Sequence, residues 1–122
     1  MSYNTLTEEE KYVILNRGTE TSFSGKYIKH HEHGIYICKQ CNQPLFKSDS
    51  KFDSGTGWAS FDDCILDDVT EHIEGGHVEV SCAHCHGHLG LLIVGEKHTA
   101  KNRRYCINSL SLNFIPTQIA SE

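Results

Sequence analysis

The sequence lacks any hydrophobic run long enough to cross a lipid bilayer. Its longest apolar stretch is LGLLIV, whereas a transmembrane helix needs about 20 predominantly apolar residues. The opening residues, MSYNTLTEEEK, are polar and acidic where a secretory leader would be basic and then apolar. We therefore expect a cytoplasmic protein that does not associate with membranes.

An excess of basic residues is also missing. The chain of 122 residues carries 11 Lys and Arg against 16 Asp and Glu, a formal net charge of −5. Because a protein of this charge has no general attraction for phosphate backbones, we do not expect it to bind nucleic acid. Low-complexity tracts, linkers and long charge blocks are absent from the sequence too. We predict a single domain over residues 1–122, and a monomer.

Only the N-terminal segment has a helical pattern. In LTEEEKYVILNRG, Thr7 is the predicted N-cap, Glu10 completes a capping box and Gly18 provides a left-handed stop. Tyr12 and Leu15 would share the buried face of this helix. Further along, β-branched and aromatic residues come in short runs between Gly, Asn, Asp and His, a pattern typical of strands. We predict a mainly β protein of two antiparallel sheets with the short helix packed outside them.

Four of the six cysteines form two C-x-x-C pairs. The pairs lie in YICKQCNQPL and VSCAHCHGHL, and each segment predicts a strand, a tight turn and a second strand. In a reducing compartment such pairs are more often metal ligands than disulfides, and two of these turns together complete a tetrahedral shell for Zn²⁺. We expect Asn42 and Gly87 to supply left-handed backbone in the two turns. The predicted ligands of this structural four-cysteine zinc site are Cys38, Cys41, Cys82 and Cys85.

Two other interpretations of the paired cysteines are weaker. A redox-active C-x-x-C pair would be followed directly by a helix, and buried thiols without a function would need no regular spacing. Structural zinc explains both the spacing and the repetition.

Several motifs resemble those of a known family. The stretches FKSDSKFDSGTGWASF, SCAHCHGHLG and RRYCINSLSLNFIP follow one another in this order. Together they resemble the methionine-R-sulfoxide reductase B family across most of the chain. The resemblance implies a β-tent (Mss4-like) fold around a structural zinc. It also implies the thiol-dependent reduction of methionine-R-sulfoxide, free or in proteins, with thioredoxin or a small thiol as the reductant.

The two unpaired cysteines have different expected roles. Reduction of a sulfoxide by a thiol requires a thiolate, and Cys106 in RRYCINS is the predicted nucleophile, which would become a sulfenic acid. A neighbouring positive charge lowers the pKa of a thiol, and the resemblance selects Arg104 for this role. Many family members place a resolving thiol where this chain has Thr56. Either Cys64 resolves the sulfenic acid, or an external thiol reduces it directly, and we favour the second route.

Three further side chains complete the predicted site. Asn108 lies two residues beyond the nucleophile, so on a strand both side chains share a face, where the amide would orient the substrate or a water molecule. The resemblance places Trp58 against the sulfoxide methyl group; core packing is the alternative. It assigns His88, the first histidine of the family's HLGH motif, as the donor to the sulfoxide oxygen. The second histidine of that motif is Leu91 here. His98 is a candidate substitute, but we favour the alternative of a solvated loop histidine.

The aliphatic residue at position 91 leaves a second class of function open. A zinc-binding β-domain that had lost or weakened the activity would bind a peptide or a partner protein in the same pocket. We favour the enzyme, because a scaffold has no need for a polarised thiol facing an aromatic wall.

Overall fold

The computed structural model describes residues 3–117. Within this range the chain forms one short α-helix, α1 (Glu8–Ile14), two single-turn 3-10 helices (Ser48–Ser50 and Ser109–Ser111) and nine strands. None of the helices described here is long and apolar enough to span a membrane. The strands are β1 (Gly34–Cys38), β2 (Pro44–Lys47), β3 (Lys51–Phe52), β4 (Ala59–Phe61), β5 (Val69–Glu74), β6 (His77–Cys82), β7 (His88–Val94), β8 (Arg103–Ile107) and β9 (Leu112–Pro116).

The strands form two antiparallel sheets. The small sheet has the order β2-β1-β9, and the large sheet has the order β3-β4-β8-β7-β6-β5. Each C-x-x-C segment connects two neighbouring strands, β1 to β2 in the small sheet and β6 to β7 in the large one. The prediction of a mainly β protein with two antiparallel sheets and one short helix is confirmed.

Aromatic side chains from both sheets form the core between them. Phe46 of β2 stacks on Phe61 of β4 with ring centroids 4.4 Å apart, and Tyr36 of β1 meets the same Phe61 ring edge to face at 5.0 Å. Tyr105 of β8 contacts Phe46 at 5.6 Å, and all four rings are fully buried. Such pairs contribute about 0.5–1.5 kcal/mol each beyond the burial of their surface. The rings therefore hold the small sheet against the large one.

The ends of α1 agree only in part with the sequence analysis. The capping box is present, because the Glu10 N–H donates to Thr7 Oγ1 at 3.1 Å and the Thr7 N–H donates to Glu10 Oε1 at 2.9 Å. The residue with left-handed backbone after the helix is Arg17, with φ 60°, so the prediction of Gly18 is wrong. A Cβ at position 18 would lie 2.3 Å from the ring of Tyr12, an exposed side chain that can turn aside, so space does not require glycine there.

The predicted buried face of α1 is also wrong. Tyr12 and Leu15 are 55% and 53% exposed, whereas Glu10, Val13 and Ile14 are buried. A helix of seven residues can press only one narrow stripe against a neighbour, and positions i, i+3 and i+4 form that stripe. The segments that α1 packs against decide which stripe is chosen, and they come from distant parts of the chain.

The register of the large sheet places a row of side chains on one face. Ser60 of β4 pairs with Cys106 of β8, Cys106 pairs with Leu91 of β7, and Leu91 pairs with Glu79 of β6. Residues directly opposite one another in antiparallel strands project from the same face of the sheet. The order across the sheet is therefore Ser60, Cys106, Leu91, Glu79.

Gly90 allows β7 and β8 to approach closely in the centre of the large sheet. A Cβ at this position would lie 1.9 Å from the Cys106 carbonyl oxygen and 3.0 Å from the Cα of Ile107. Both are backbone atoms of a central strand, so neither moves without disturbing the sheet.

We predict that Gly90→Ala lowers the free energy of unfolding by at least about 1–3 kcal/mol, the usual cost of overpacking a core. Urea denaturation followed by tryptophan fluorescence measures this change. The control is Val94→Ala, at the exposed end of the same strand, which should change the stability by less than about 0.5 kcal/mol. Equal stabilities of the two variants would contradict the close approach.

Candidate active site and metal centre

The two C-x-x-C turns have the same backbone geometry. The Asn42 N–H donates to the Cys38 carbonyl at 2.8 Å, and the His86 N–H donates to the Cys82 carbonyl at 2.8 Å. Asn42 and His86 have positive φ angles of 70° and 66°. The prediction for Asn42 is therefore confirmed, but in the second turn His86 takes the left-handed conformation and not Gly87. The position directly after the second cysteine has this conformation in both turns, whatever residue occupies it.

The four cysteines of these turns converge on one point. Their Sγ atoms all lie within 4.8 Å of one another, with Cys38 to Cys85 and Cys41 to Cys82 at 3.6 Å. A tetrahedral zinc with Zn–S bonds of about 2.3 Å needs sulfur atoms about 3.8 Å apart. Hydrogen bonds with the neighbouring sulfurs and burial raise the pKa of Cys38, so without a cation the four sulfurs do not all become thiolates.

The cluster therefore fits zinc, and the predicted structural site of four cysteines is confirmed. The four thiolates would complete the coordination shell, which leaves no position for a substrate, so the metal has a structural role. Two ligands come from the turn of the small sheet and two from the turn of the large one. The metal would thus link the two sheets, and no reaction step passes through it.

We predict that a strong chelator removes one zinc ion per chain and unfolds the protein. Structural zinc binding is worth on the order of 10 kcal/mol, which equals or exceeds the stability of a small domain. Zinc content by atomic absorption and near-UV circular dichroism measure the two losses. Cys82→Ser should have the same effect as the chelator, whereas Cys64→Ser should keep its zinc; a folded, zinc-free Cys82→Ser protein would contradict the assignment.

A cleft of about 340 Å³ lies over the row of side chains on the large sheet. Four of the predicted site residues line it together: Cys106, Trp58, His88 and Asn108. Leu91, the residue in place of the second histidine, lines it as well. Arg104 is not in the lining but lies buried on the same face of β8 as Cys106.

The guanidinium of Arg104 is held in one orientation. Nε donates to Glu96 Oε1 at 2.8 Å, and Nη1 donates to Thr56 Oγ1 at 3.1 Å and to Ser60 Oγ at 3.4 Å. Arg103 faces the other way and donates to Asp63 Oδ1 at 2.6 Å. Of the two adjacent arginines, only Arg104 is therefore directed to the cleft side of the sheet, as the alternation along a strand requires.

The pKa of Cys106 does not follow the expectation from its sequence neighbours. Burial is the largest single effect and raises the pKa of this thiol, while the positive charge and the hydrogen bond of Arg104 lower it. The carboxylates of Glu96 and Glu20 add a smaller upward effect. Arg104 thus acts in the expected direction, but burial makes the net pKa of Cys106 higher than the ordinary value. The sequence could not show this, because it does not contain how far the sulfur is removed from water.

The side chains of Asn108 and Trp58 both form hydrogen bonds with the backbone of Glu20. The Glu20 N–H donates to Asn108 Oδ1 at 2.9 Å, and Trp58 Nε1 donates to the Glu20 carbonyl at 3.1 Å. Asn108 Nδ2 donates to the Leu89 carbonyl at 3.0 Å, so most of its amide is used inside the protein. The Glu20 side chain is buried, accepts from the Leu110 N–H at 2.9 Å, and burial raises its pKa. The Glu20 segment therefore holds the ring of Trp58, the aromatic wall of the cleft, in position.

His88 is held in a neutral form. Its side chain is buried, its Nδ1 has no hydrogen-bond partner within residues 3–117, and burial lowers its pKa. An unpaired buried N–H is costly, so the proton of the neutral ring belongs on Nε2. Since Nδ1 is enclosed, Nε2 is the nitrogen that can donate a hydrogen bond to a molecule in the cleft.

Cys64 lies on the other face of the large sheet. Its Sγ is 3.5 Å from the hydroxyl of Tyr105, the residue next to Cys106 whose buried side chain projects into the core. The two sulfurs are therefore separated by the sheet itself. Burial also raises the pKa of Cys64.

His98 lies behind Arg104, outside the cleft lining. Its Nε2 is 3.6 Å from Glu96 Oε1, and its ring centroid is 5.6 Å from that of Phe52. Its contact with a charged group is thus with Glu96, the partner of Arg104, and it is not among the residues that line the cleft with Cys106.

Several charged residues around the site were missed by the sequence analysis. Arg17 and Glu79 form an ion pair at the cleft, Glu20 supports the aromatic wall, and Glu96 orients the guanidinium. The alternation in VEVSC could have predicted that Glu79 faces the cleft, because the valines on either side of it face the core. The others come from loops, which carry no periodicity.

We predict that Arg104→Gln raises the pH at which Cys106 becomes reactive. The thiolate is the reactive form, burial places the pKa of Cys106 above its ordinary value, and loss of the Arg104 charge moves it higher. The rate of iodoacetamide modification as a function of pH, with the modified residue located by mass spectrometry, measures the midpoint. Arg103→Gln, on the opposite face, is the control and should leave the midpoint unchanged; an equal shift in both variants would refute the specific role of Arg104.

Comparison with known proteins gives consistent results. Residues 6–116 match the model of the SelR domain. The chain is 46% identical over 117 residues to methionine-R-sulfoxide reductase B3, mitochondrial, of Mus musculus, a match that covers 91% of this chain but only 46% of the mouse protein. It is 43% identical over 120 residues to peptide methionine sulfoxide reductase B9 of Arabidopsis thaliana, covering 96% of this chain and 82% of that protein.

An archaeal relative extends the comparison. Peptide methionine sulfoxide reductase MsrB of Methanosarcina barkeri is 46% identical over 115 residues, which cover 89% of this chain and 80% of that protein. The chain thus spans less than half of the mouse relative and about four fifths of the other two. Because the SelR model and these relatives match nearly the whole described chain, the protein belongs to the methionine-R-sulfoxide reductase B family.

Proposed function

We propose that this protein reduces methionine-R-sulfoxide to methionine with a thiol as the reductant. The observation that carries the proposal is the cleft in which Cys106, Trp58 and His88 meet, in a chain whose relatives are named as methionine sulfoxide reductases. The alternative of a binding module without activity is not favoured by these relatives.

In the proposed reaction the sulfur of Cys106 attacks the sulfoxide sulfur. This attack forms a sulfur–sulfur bond. That bond and the sulfur–oxygen bond of the substrate then break as the oxygen bonds to the sulfur of Cys106, which becomes a sulfenic acid. The substrate sulfur gains two electrons and the cysteine sulfur loses two. The thiol releases one proton and the oxygen takes up one, so the step consumes no net proton.

The other side chains of the cleft would orient the substrate. The flat ring of Trp58 suits the sulfoxide methyl group, because it offers an apolar surface at the cleft. Nε2–H of His88 would donate to the sulfoxide oxygen as a neutral donor. Arg104 would favour the thiolate of Cys106, and Asn108 would keep the Glu20 segment and the Trp58 wall in position, which makes it a positioning residue.

Regeneration requires an external thiol in this proposal. One thiol displaces water from the sulfenic acid and forms a mixed disulfide, and a second thiol releases Cys106 and leaves as a disulfide. The separation of Cys64 from Cys106 by the sheet supports this route over internal resolution. Thioredoxin is the reductant we propose, with a small thiol as the alternative.

The setting of the reaction is also a proposal. We infer a single domain over residues 1–122 that acts as a monomer in the cytoplasm, where it repairs methionine oxidised under oxidative stress, free or in proteins. The absence of nucleic acid and membrane partners stays an expectation from charge and hydropathy.

We predict that Cys106→Ser abolishes reduction of the R sulfoxide of N-acetylmethionine, because a hydroxyl is too weak a nucleophile. Cys64→Ser should keep full turnover with thioredoxin as well as with dithiothreitol. Chromatographic separation of the methionine product, with the S sulfoxide as the matched substrate control, measures both. Loss of thioredoxin-dependent turnover in folded Cys64→Ser would show that Cys64 resolves the sulfenic acid after all.

A further inference from the structure

The cleft contains a second histidine that the sequence analysis did not single out. His77, the first residue of β6, lines the same cleft as Cys106 and His88. Its side chain is 54% exposed, whereas that of His88 is buried. The two histidines therefore differ in their access to solvent protons.

In the proposed reaction the sulfoxide oxygen takes up a proton, and the position of that oxygen in the cleft decides which side chain can supply it. This step rests on the proposed function, in which the substrate methyl group contacts Trp58, just before β4. The strand order β4, β8, β7, β6 then places the space above Leu91 on the opposite side of Cys106. In that pose the sulfoxide oxygen would lie above Leu91, whose side chain has no proton to give.

The polar residues beyond Leu91 differ in what they can donate. Glu79 is directly opposite Leu91 and forms an ion pair with Arg17, so its carboxylate oxygens serve as acceptors. Arginine does not release its proton at any ordinary pH. Histidine is the side chain that exchanges a proton near neutrality, and the Nε2 of His77 is 3.9 Å from Glu79 Oε2.

We propose that His77 is a second acid of this site and donates a proton to the sulfoxide oxygen, in place of the histidine that position 91 lacks. As the substrate sulfur–oxygen bond breaks and the oxygen moves to Cys106, the N–H bond of the His77 imidazolium breaks and an O–H bond forms. The thiol proton of Cys106 has gone to solvent, and His77 takes one back from solvent afterwards.

Charged groups from three parts of the chain face His77. Glu74 of β5 pairs directly with it across the strands, Glu79 lies two residues further along its own strand, and Arg17 reaches both carboxylates from the N-terminal segment. His72 of β5, opposite Glu79, is a second titratable group here, and its Nε2 is 2.9 Å from Glu74 Oε1. The two carboxylates place negative charge beside His77, and the guanidinium of Arg17 offsets part of it.

The test is the single-turnover rate of the reduced enzyme with the R sulfoxide of N-acetylmethionine and no reductant, which isolates oxygen transfer from regeneration. His77→Gln should lower the maximal rate on the order of 100-fold, the usual contribution of a general acid. The substrate concentration for half-maximal rate should stay within about twofold. The decline of the parent rate with rising pH should be absent in the variant.

Two further variants sharpen the result. Leu91→His in the His77→Gln background should raise the maximal rate at least about tenfold above that of His77→Gln alone, because it returns a donor to the same side of the cleft. His31→Gln is the matched control, because this histidine is exposed and does not line the cleft. Its rate should equal that of the parent.

Two results would overturn the role of His77. One is a maximal rate of His77→Gln within twofold of the parent rate across the pH range. The other is a higher half-saturating substrate concentration with an unchanged maximal rate, which would identify His77 as a binding contact. An inactive parent protein would instead overturn the proposed reduction itself, so the two failures are distinguishable.

Discussion

Four sulfur atoms within 4.8 Å of one another bring a turn of the small sheet against a turn of the large one. The position of the cleft residues on β7 depends on this junction, because β7 begins directly after the second turn. β7 leaves the second turn at His88 and continues to Leu91, beside Cys106. A zinc ion at the junction would neutralise thiolates that otherwise repel one another. It would therefore keep the beginning of β7 in place against the small sheet, with the stacked aromatic rings holding the rest of the two sheets together.

The alternation of side chains along β8 separates the chemistry from the core. Tyr105 and Ile107 are buried in the aromatic core, whereas Arg104 and Cys106 face the cleft side. The same alternation puts Cys64, in contact with Tyr105, on the face of the sheet opposite to Cys106. One strand thus supplies both stability and reactivity, and an external thiol is the reductant that this arrangement favours.

The cleft changes in polarity from one end to the other. Trp58 forms an apolar wall at the β4 end, Leu91 covers the middle, and the ion pair of Arg17 with Glu79 and the half-exposed His77 occupy the β6 end. A sulfoxide has a matching distribution, with a methyl group and a strongly polarised oxygen on the same sulfur. The partly buried thiol between the two ends keeps its proton more firmly than a free cysteine does, because its surroundings disfavour the anion.

Features that depend on near neighbours could be predicted from the linear pattern alone. Two C-x-x-C pairs indicated the zinc site, and Thr7 with Glu10 indicated the start of the helix, because each signal lies within a few consecutive residues. The outward direction of Tyr12, the position of Cys64 behind the sheet and the net rise in the pKa of Cys106 depend instead on which distant segments pack together. Burial and desolvation are sums over many neighbours from separate parts of the chain, and a local pattern does not contain that sum.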